Sequence, residues 1–170
     1  MAENKKQMSL IEAQKIKQMM DDPVIWAQIF VTIFDNATKK YTPWTARWYQ
    51  VEMLRDRSIK KVARCGRRTG KTETMCIEML WKAFTKPMHR ILVVTPYETQ
   101  VRLIFTRLNE IINESPLVKK ELKRVTKNPY WIEFNNGAII CGFTTGASSG
   151  SGGASIRGQR ADAIYMDEVD

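Results

Sequence analysis

Cysteine and histidine are scarce in this chain of 170 residues, which contains three cysteines and one histidine. Cys65, Cys76 and Cys141 form no C-x-x-C pair, so the sequence predicts neither a disulfide scaffold nor a zinc site, and it favours a reducing compartment. No apolar run is long enough to cross a membrane, and residues 1–14 lack the apolar core of a signal peptide. The only histidine, His89, precedes a predicted strand and is interpreted as structural.

Acidic residues are also in the minority, with 18 Asp and Glu against 27 Lys and Arg, which gives a net charge of +9. The basic residues concentrate in two segments, residues 39–68 with ten of them and residues 119–127 with five. Such patches favour a polyanionic partner: nucleic acid, nucleotide or, less readily, an acidic membrane. A plain solvated face is an equally good interpretation of the second segment.

The N-terminal part reads as a series of helices. Ser9 and Glu12 form a capping-box pattern that predicts a helix ending near Met20. Asp22-Pro23 predicts the start of a second helix, and Thr42-Pro43 the start of a third. We expect a helical, lid-like segment over residues 1–40 and a separate domain over residues 41–170. The residues expected on the inner faces of the second and third helices are Ile25, Trp26, Ile29, Phe30, Ile33 and Phe34, then Trp44, Trp48, Val51 and Leu54.

After residue 60 the pattern alternates between strands and helices. Strands are predicted at Lys61–Cys65, Arg90–Thr95 and Ala163–Met166, and Asn136-Gly137 predicts a β-hairpin. Helices are predicted from Lys71 to Phe84 and after Pro96, the second with Val101, Ile104, Phe105, Leu108, Ile111 and Ile112 on its buried face. The Gly/Ser-rich segment Thr144–Ser155 is expected to be a mobile loop. The fold class predicted is α/β, with a mostly parallel sheet flanked by helices and a hairpin insertion.

Residues 64–72 read RCGRRTGKT and lack the first glycine of the phosphate-binding pattern G-x-x-x-x-G-K-[ST], because Cys65 stands in its place. The rest fits a loop that holds phosphate with backbone N–H groups and a helix N-terminus. Lys71 would reach the β- and γ-phosphates, and Thr72 would place its hydroxyl on Mg²⁺. The residues of this segment predicted to bind ATP are Gly66, Arg67, Arg68, Thr69, Gly70, Lys71 and Thr72.

The last predicted strand delivers two carboxylates, Asp167 and Glu168, at the end where ligands of open α/β sheets bind. Asp167 fits a Walker B residue that holds Mg²⁺ through water, and Glu168 fits the base that activates the attacking water. An Asp-Glu pair can also cap a surface strand, but its combination with the loop favours ATP hydrolysis. Upstream, the amide of Gln50 could select adenine, and Arg47, Trp48 and Tyr49 are the candidates to stack on the base.

Several motifs together give the chain a family resemblance. They are DPVIWAQIF, W-Y-Q-x-x-M-L, the arginine-bearing loop without its first glycine, and S-I-R-G-x-x-A-D leading into the last strand. Over residues 22–170 the sequence resembles the N-terminal ATPase portion of the large terminase subunit, the DNA-packaging motor of tailed bacteriophages and herpesviruses.

This resemblance implies a P-loop NTPase fold of the ASCE or RecA-like type and a motor that hydrolyses ATP with Mg²⁺. It implies that the motor translocates double-stranded DNA into a procapsid, with the portal protein and the small terminase subunit as partners. The subunits would form a homo-oligomeric ring on the portal and be monomers when free, in the host cell cytoplasm and not in the mature virion. No membrane partner is expected.

The resemblance also bears on the roles of three arginines. Arg67 would contact the γ-phosphate from its own subunit, whereas Arg68 would point outward. Arg157 would act as a finger in the neighbouring subunit's site, where such an arginine can be worth roughly 10³–10⁵ in rate. Solvation of the first two, or an ion pair between Arg157 and Asp162, are the plainer alternatives. The resemblance further implies that a terminase ATPase domain continues beyond Glu168 with a coupling motif and further strands, so the domain is expected to be truncated in this sequence. A nuclease domain is expected to be absent from these residues, because they contain no acidic cluster of metal ligands.

A superfamily 2 helicase is the competing interpretation. DEVD fits a DExD box, Gln50 fits a Q motif, and TPYETQ resembles helicase motif Ia. Helicase loops, however, carry small residues where Arg67 and Arg68 stand, and Arg157-Gly158 is not a helicase feature. A nucleic-acid-binding module without catalysis is the third alternative.

Overall fold

The computed structural model of the protein describes residues 14–145 and 158–167. Four sequence predictions lie outside these residues: the capping box at Ser9, the mobility of the Gly/Ser-rich segment beyond residue 145, and the roles of Arg157 and Glu168. In the described part of the chain, no helix is both long and apolar enough to cross a membrane.

The first elements are two short helices, α1 (residues 14–21) and α2 (Pro23–Phe30). The carboxylate of Asp22 caps α2, because its Oδ1 accepts the Val24 N–H at 2.8 Å, and Pro23 fits the first turn, where no N–H is needed. The predicted start of the second helix is therefore confirmed. The predicted inner face is only partly correct, because Trp26 is buried whereas Ile29 is 42% exposed.

The chain then forms a β-hairpin, β1 (Thr32–Asp35) and β2 (Lys40–Pro43), where the sequence predicted continued helix. Ile33 pairs with Thr42 in this hairpin, so the expectation that Ile33 and Phe34 lie on α2 is wrong. The Thr32 N–H donates to Ser115 Oγ at 3.0 Å, and the Thr32 hydroxyl donates to the Glu114 carbonyl. These bonds fix β1 to residues 114 and 115, about 80 positions later in the chain. The local spacing of apolar residues cannot predict such a contact.

The third helix, α3 (Trp48–Arg55), begins later than predicted. Pro43 ends β2 instead of opening a helix, and at a strand end its missing N–H costs nothing. Trp44 and Leu54 are buried as expected, but Trp48 is 74% exposed, so its predicted inward position is wrong. The predicted domain division at residue 40 falls inside the hairpin and stays a prediction.

The main sheet has the strand order β4–β5–β6–β3–β7. Its centre is parallel, because β3 pairs with β6 on one side and β7 on the other, and its β4–β5–β6 part is antiparallel. The strands are β3 (Arg90–Thr95), β4 (Leu122–Lys127), β5 (Tyr130–Phe134), β6 (Ile139–Thr144) and β7 (Ala163–Met166). The predictions for β3, β7 and the hairpin at Asn136-Gly137 are confirmed, as is the mixed α/β class.

Two long helices, α4 (Lys71–Thr85) and α5 (Glu98–Glu114), pack against the sheet, and a short α6 (Pro116–Lys120) follows. All six apolar residues predicted for the inner face of α5 are buried. This helix lies close to β6, since a Cβ added to Gly142 would be 2.5 Å from Val101 Cγ1. A small residue at Gly142 is therefore needed for α5 to reach the sheet.

The segment before the glycine loop is not a strand, which corrects the prediction for Lys61–Cys65. Val62 is 99% exposed, and none of the described strands pairs with this segment. An apolar-polar alternation gives a strand only where a neighbouring strand satisfies its backbone groups, and this segment has no such neighbour in the described sheet. Lys61 instead anchors the segment, donating to the Met53 and Asp56 carbonyls and contacting Glu78 at 2.8 Å.

Candidate functional site

The glycine loop turns sharply into α4 through two residues in the left-handed region, Arg68 with φ 60° and Gly70 with φ 80°. Gly70 is the N-cap of α4 and has no side chain to cap the first turn. A Cβ at this position would lie 2.9 Å from Gln50 Nε2, so space as well as φ requires glycine. The first turn of α4 therefore receives no side-chain cap from Gly70, and it presents the positive end of the helix dipole.

Lys71 and Asp167 meet at this end of α4. Lys71 opens the helix and Asp167 directly follows β7, and their Nζ and Oδ1 atoms are 2.8 Å apart. The lysine side chain is 33% exposed and the carboxylate 14%, so the pair lies at the surface of a recess. Thr72, the next residue of α4, is half-buried. The fold thus brings together the lysine and the carboxylate that the sequence assigned to one site.

A cleft of about 340 Å³ opens beside the loop. One wall comes from the loop and α4, and the other from the β1–β2 hairpin and α3. The cleft therefore collects five of the residues predicted to bind ATP. Its lining residues are Ile33, Trp44, Thr45, Arg47, Gln50, Arg68, Thr69, Gly70 and Glu73.

Gln50 is buried in the wall of this cleft with both ends of its amide engaged. Its Oε1 accepts the Arg47 N–H at 2.9 Å, and its Nε2 donates to Thr74 Oγ1 at 2.9 Å. Thr74 Oγ1 in turn donates to the Gly70 carbonyl at 3.0 Å. Gln50 therefore links α3 to the first turn of α4, a structural role that the sequence prediction did not include.

Tyr49 supports the same loop from α3. Its hydroxyl donates to the Thr69 carbonyl at 2.7 Å and accepts from Arg47 Nη1 at 2.9 Å. These bonds hold the ring against the loop, whereas the neighbouring Trp48 packs edge-on against Tyr49. Among the three candidates for stacking on a base, only Arg47 lines the cleft.

Glu73 is a residue of this cleft that the sequence analysis missed. Its Oε1 accepts from Trp44 Nε1, and its Oε2 lies 2.8 Å from Arg107 Nη2 on α5. Burial alone would lower the pKa of Arg107, but its bonds to Glu110 and Glu73 outweigh burial and raise it. Glu73 stands in the first turn of a predicted helix, where an acidic residue interacts favourably with the helix dipole, so the sequence could have identified it. Nothing near it in the sequence indicates that Arg107 is its partner.

The remaining predicted residues are less tightly placed. Arg67 is exposed on the loop, and Arg157 and Glu168 lie outside the described residues. Asp162, the alternative partner proposed for Arg157, accepts the Arg90 N–H at 2.9 Å, which holds the pKa of this carboxyl below its usual value. The described residues contain no group of three or more His, Cys, Asp or Glu side chains that could hold a metal ion.

The fold is similar to that of two solved phage proteins. One is the large terminase ATPase domain of Thermus phage P74-26, with a TM-score of 0.59 and 18% identity over 74% of this chain and 54% of that one. The other is the large terminase of bacteriophage HK97, with a TM-score of 0.64 and 8% identity over 86% of this chain and 37% of that one. This chain therefore spans about half of the first protein and less of the second.

A comparison with curated protein sequences found no match. A family profile, described as the N-terminal part of the T4-like virus type of large terminase subunit, matches residues 62–170. The match begins just before the glycine loop and includes α4, the whole main sheet and Asp167. Because it covers well over half of the sequence, the chain belongs to the large terminase subunit family.

Proposed function

We propose that this chain is the ATP-hydrolysing part of a motor that packages viral DNA, with ATP bound at the loop Gly66–Thr72. The contact between Lys71 Nζ and Asp167 Oδ1, 2.8 Å apart at the start of α4, carries the proposal. Membership of the terminase family supports it independently. In this interpretation the loop is a P-loop with an altered first position, and Asp167 is the Walker B carboxylate.

The charge balance of the site explains how a nucleotide would bind. In the free chain, Lys71 and Asp167 neutralise each other. A triphosphate with Mg²⁺ supplies both a negative group for the lysine and a positive one for the carboxylate, so neither charge is left alone. Hard oxygen ligands suit Mg²⁺, which usually takes only one or two from the protein. The Thr72 hydroxyl would be a direct ligand, the Asp167 carboxylate would hold the ion through water, and Mg²⁺ would neutralise charge on the phosphates.

The neighbouring cleft has the size expected for the nucleoside, since ligand pockets usually begin at roughly 300 Å³. Ile33 and Trp44 provide apolar wall, and Arg47 provides a flat cation that can stack on a purine. Gln50 braces α3 against α4 through its bond to Thr74, and a contact with adenine would use the second N–H of the same amide. We therefore propose that base selection by Gln50 is coupled to the packing of α3 against α4.

Three further residues complete the proposed mechanism. Glu168 would orient and deprotonate the attacking water, Arg67 would sense the γ-phosphate in its own subunit, and Arg157 would enter the site of a neighbour. Glu168 would take the proton of the attacking water, and the two arginines would place positive charge beside the phosphoryl group during its transfer. The partners proposed are double-stranded DNA, the portal protein, the small terminase subunit and further copies in a ring, in the cytoplasm of the host cell.

The direct test is ATP hydrolysis by the full-length protein. Lys71→Ala should lose nucleotide binding or turnover, and Glu168→Gln should bind ATP but turn over at least ~10²-fold more slowly. Lys60→Ala is the matched control, because Lys60 is exposed and lies in the segment before the loop. Near-normal hydrolysis by Lys71→Ala would contradict the proposed site, and near-normal hydrolysis by Glu168→Gln would reassign the base.

The role of Arg157 requires assembled protein, because it acts between subunits. Arg157→Ala and Glu168→Ala should each be inactive alone on the portal. A mixture should recover ATPase activity, since an Arg157→Ala subunit next to a Glu168→Ala subunit completes one site from two chains. A mixture as inactive as its components would place Arg157 in its own subunit's site or in a structural role.

A further inference from the structure

A second cleft, of about 290 Å³, lies between α5 and the β4–β5 hairpin, and its walls differ in charge from those of the first. Arg102 of α5 and Lys127 of β4 reach it from opposite sides. No carboxylate is among its described lining residues, which are Arg102, Phe105, Thr106, Asn109, Thr126, Lys127 and Tyr130. Glu98, one helical turn before Arg102 on α5, interacts with the lining residue Tyr130. Two cations from separate elements exceed this one acid and favour an anionic ligand.

The two cations of the cleft form no direct ion pair in the described part of the molecule. Within residues 14–145 and 158–167, Arg102 and Lys127 have no carboxylate within ion-pair distance. Nearby cations behave differently, since Lys123 contacts Glu133 at 2.7 Å and Arg107 contacts Glu73 at 2.8 Å. The positive charge of the cleft is therefore available to a partner.

The basic surface also continues beyond the cleft. Arg124 is exposed on β4, and Lys119 and Lys120 are exposed in the last turn of α6. An open cleft with two cations, and with further exposed cations on β4 and on the helix that precedes it, is suited to successive phosphates more than to one enclosed small molecule. Thr106 and Asn109 add groups that can donate to phosphate oxygens.

We infer that the cleft between α5 and β4, with the basic residues that extend it, binds the phosphate backbone of duplex DNA. The cleft itself favours a phosphate polyanion, and the choice of DNA among such polyanions rests on the proposed function. Recognition would be independent of sequence, because every named contact is to phosphate. The site shares α5 with the nucleotide cleft, since Arg102 and Arg107 lie on the same helix and Arg107 contacts Glu73.

The test measures binding of the full-length protein to a fluorescent duplex of mixed sequence, without nucleotide, over a series of NaCl concentrations. A variant with both Arg102→Gln and Lys127→Gln should bind more weakly, and the slope of log K against log salt should become smaller by about 2, roughly 1 for each phosphate that the variant no longer neutralises. The control carries Lys15→Gln and Lys17→Gln, which remove the same charge from exposed positions outside the cleft and outside both basic segments. It should keep the wild-type slope.

Two further measurements separate the alternatives. Arg102→Lys combined with Lys127→Arg keeps both charges and should restore the wild-type slope if phosphate binding is the cause. Equal thermal midpoints for all variants would exclude unfolding. An unchanged slope in the charge-removing variant, an equal decrease in the control, or a decrease seen only with an RNA duplex would overturn the inference. The binding assay contains no nucleotide. A failure of this inference can therefore be distinguished from a failure of the proposed ATP site, which the Lys71→Ala variant tests.

Discussion

Replacing Asp167 with asparagine should change nucleotide binding in opposite directions with and without Mg²⁺. In the free chain the carboxylate holds the Lys71 ammonium group at 2.8 Å, so it competes with phosphate for the lysine. In the proposed complex the same carboxylate holds Mg²⁺ and helps the nucleotide to bind. Asp167→Asn should therefore tighten binding of metal-free ATP and remove most of the gain in affinity that Mg²⁺ provides.

The size of the first effect follows from the exposure of the pair. Exposed ion pairs are worth roughly 0.2–1 kcal/mol, because water screens them and ordering two side chains costs entropy. Asp167 is 14% exposed and Lys71 33%, so we take the upper end, about 1 kcal/mol. This corresponds to about fivefold tighter binding of ATP in EDTA.

Loss of repulsion between the carboxylate and the phosphates would also tighten binding, so the assay needs a double-mutant cycle. A fluorescent ATP analogue would be titrated in EDTA against the wild type, Asp167→Asn, Lys71→Met and the double variant. The effect of Asp167→Asn in the Lys71→Met background reports repulsion alone, and the difference between backgrounds reports the ion pair. Equal effects in both backgrounds, or weaker metal-free binding in Asp167→Asn, would refute the reasoning.

Three other changes test the surroundings of the site. Gln50→Ala should narrow the preference for ATP over GTP, since an amide–adenine pair is worth roughly 1–3 kcal/mol by analogy with base readout; an equal loss for both nucleotides would leave Gln50 only its structural role. Gly70→Ala should destabilise the protein to urea by about 1–2 kcal/mol or more, because φ is 80° and the new Cβ meets the Gln50 amide. Asp22→Ala should lower the free energy of unfolding by about 1 kcal/mol at pH 7. Burial would raise the pKa of Asp22, but the Val24 N–H and Arg55 lower it overall, so this difference should persist above about pH 4 and fade as the pH falls through the lowered pKa.

The elements that the sequence predicted correctly have long, uninterrupted patterns. The apolar run of β3 is paired on both sides, and the inner face of α5 repeats over four turns. The secondary structure of such segments follows from the burial of their apolar residues in the centre of the fold, so it can be predicted from the spacing of those residues. The hairpin at Asn136-Gly137 was marked by its turn, where Gly137 adopts φ 79°.

The sequence indicates the β1–β2 hairpin less clearly. Ile33 and Phe34 continue the helical spacing of α2, and the turn places Lys39, not glycine, at φ 54°. One local signal was available, since the carboxylate of Asp35 accepts the Ala37 N–H at 2.9 Å, as in an Asx turn. The deciding contacts of Thr32 with residues 114 and 115 are distant in sequence and could not be read locally.

The residues of the candidate site also divide into those that the sequence could identify and those that it could not. Lys71 and Asp167 could be assigned because each belongs to a short motif at the end of a predicted element. Glu73 and Arg107 could not be paired, because their contact depends on how α5 crosses α4. The bracing role of Gln50 was also hidden, since only the fold shows that Thr74 lies within 2.9 Å of its amide.

The central claim is that ATP binds at the start of α4 and separates Lys71 from Asp167. A crystal structure of the protein with a non-hydrolysable ATP analogue and Mg²⁺ tests it most directly. We expect the β- and γ-phosphates at the N–H groups of Lys71 and Thr72, the lysine Nζ on a phosphate oxygen, and the base in the cleft beside Arg47. A nucleotide bound elsewhere, or one bound here with the 2.8 Å contact between Lys71 and Asp167 intact, would contradict the account.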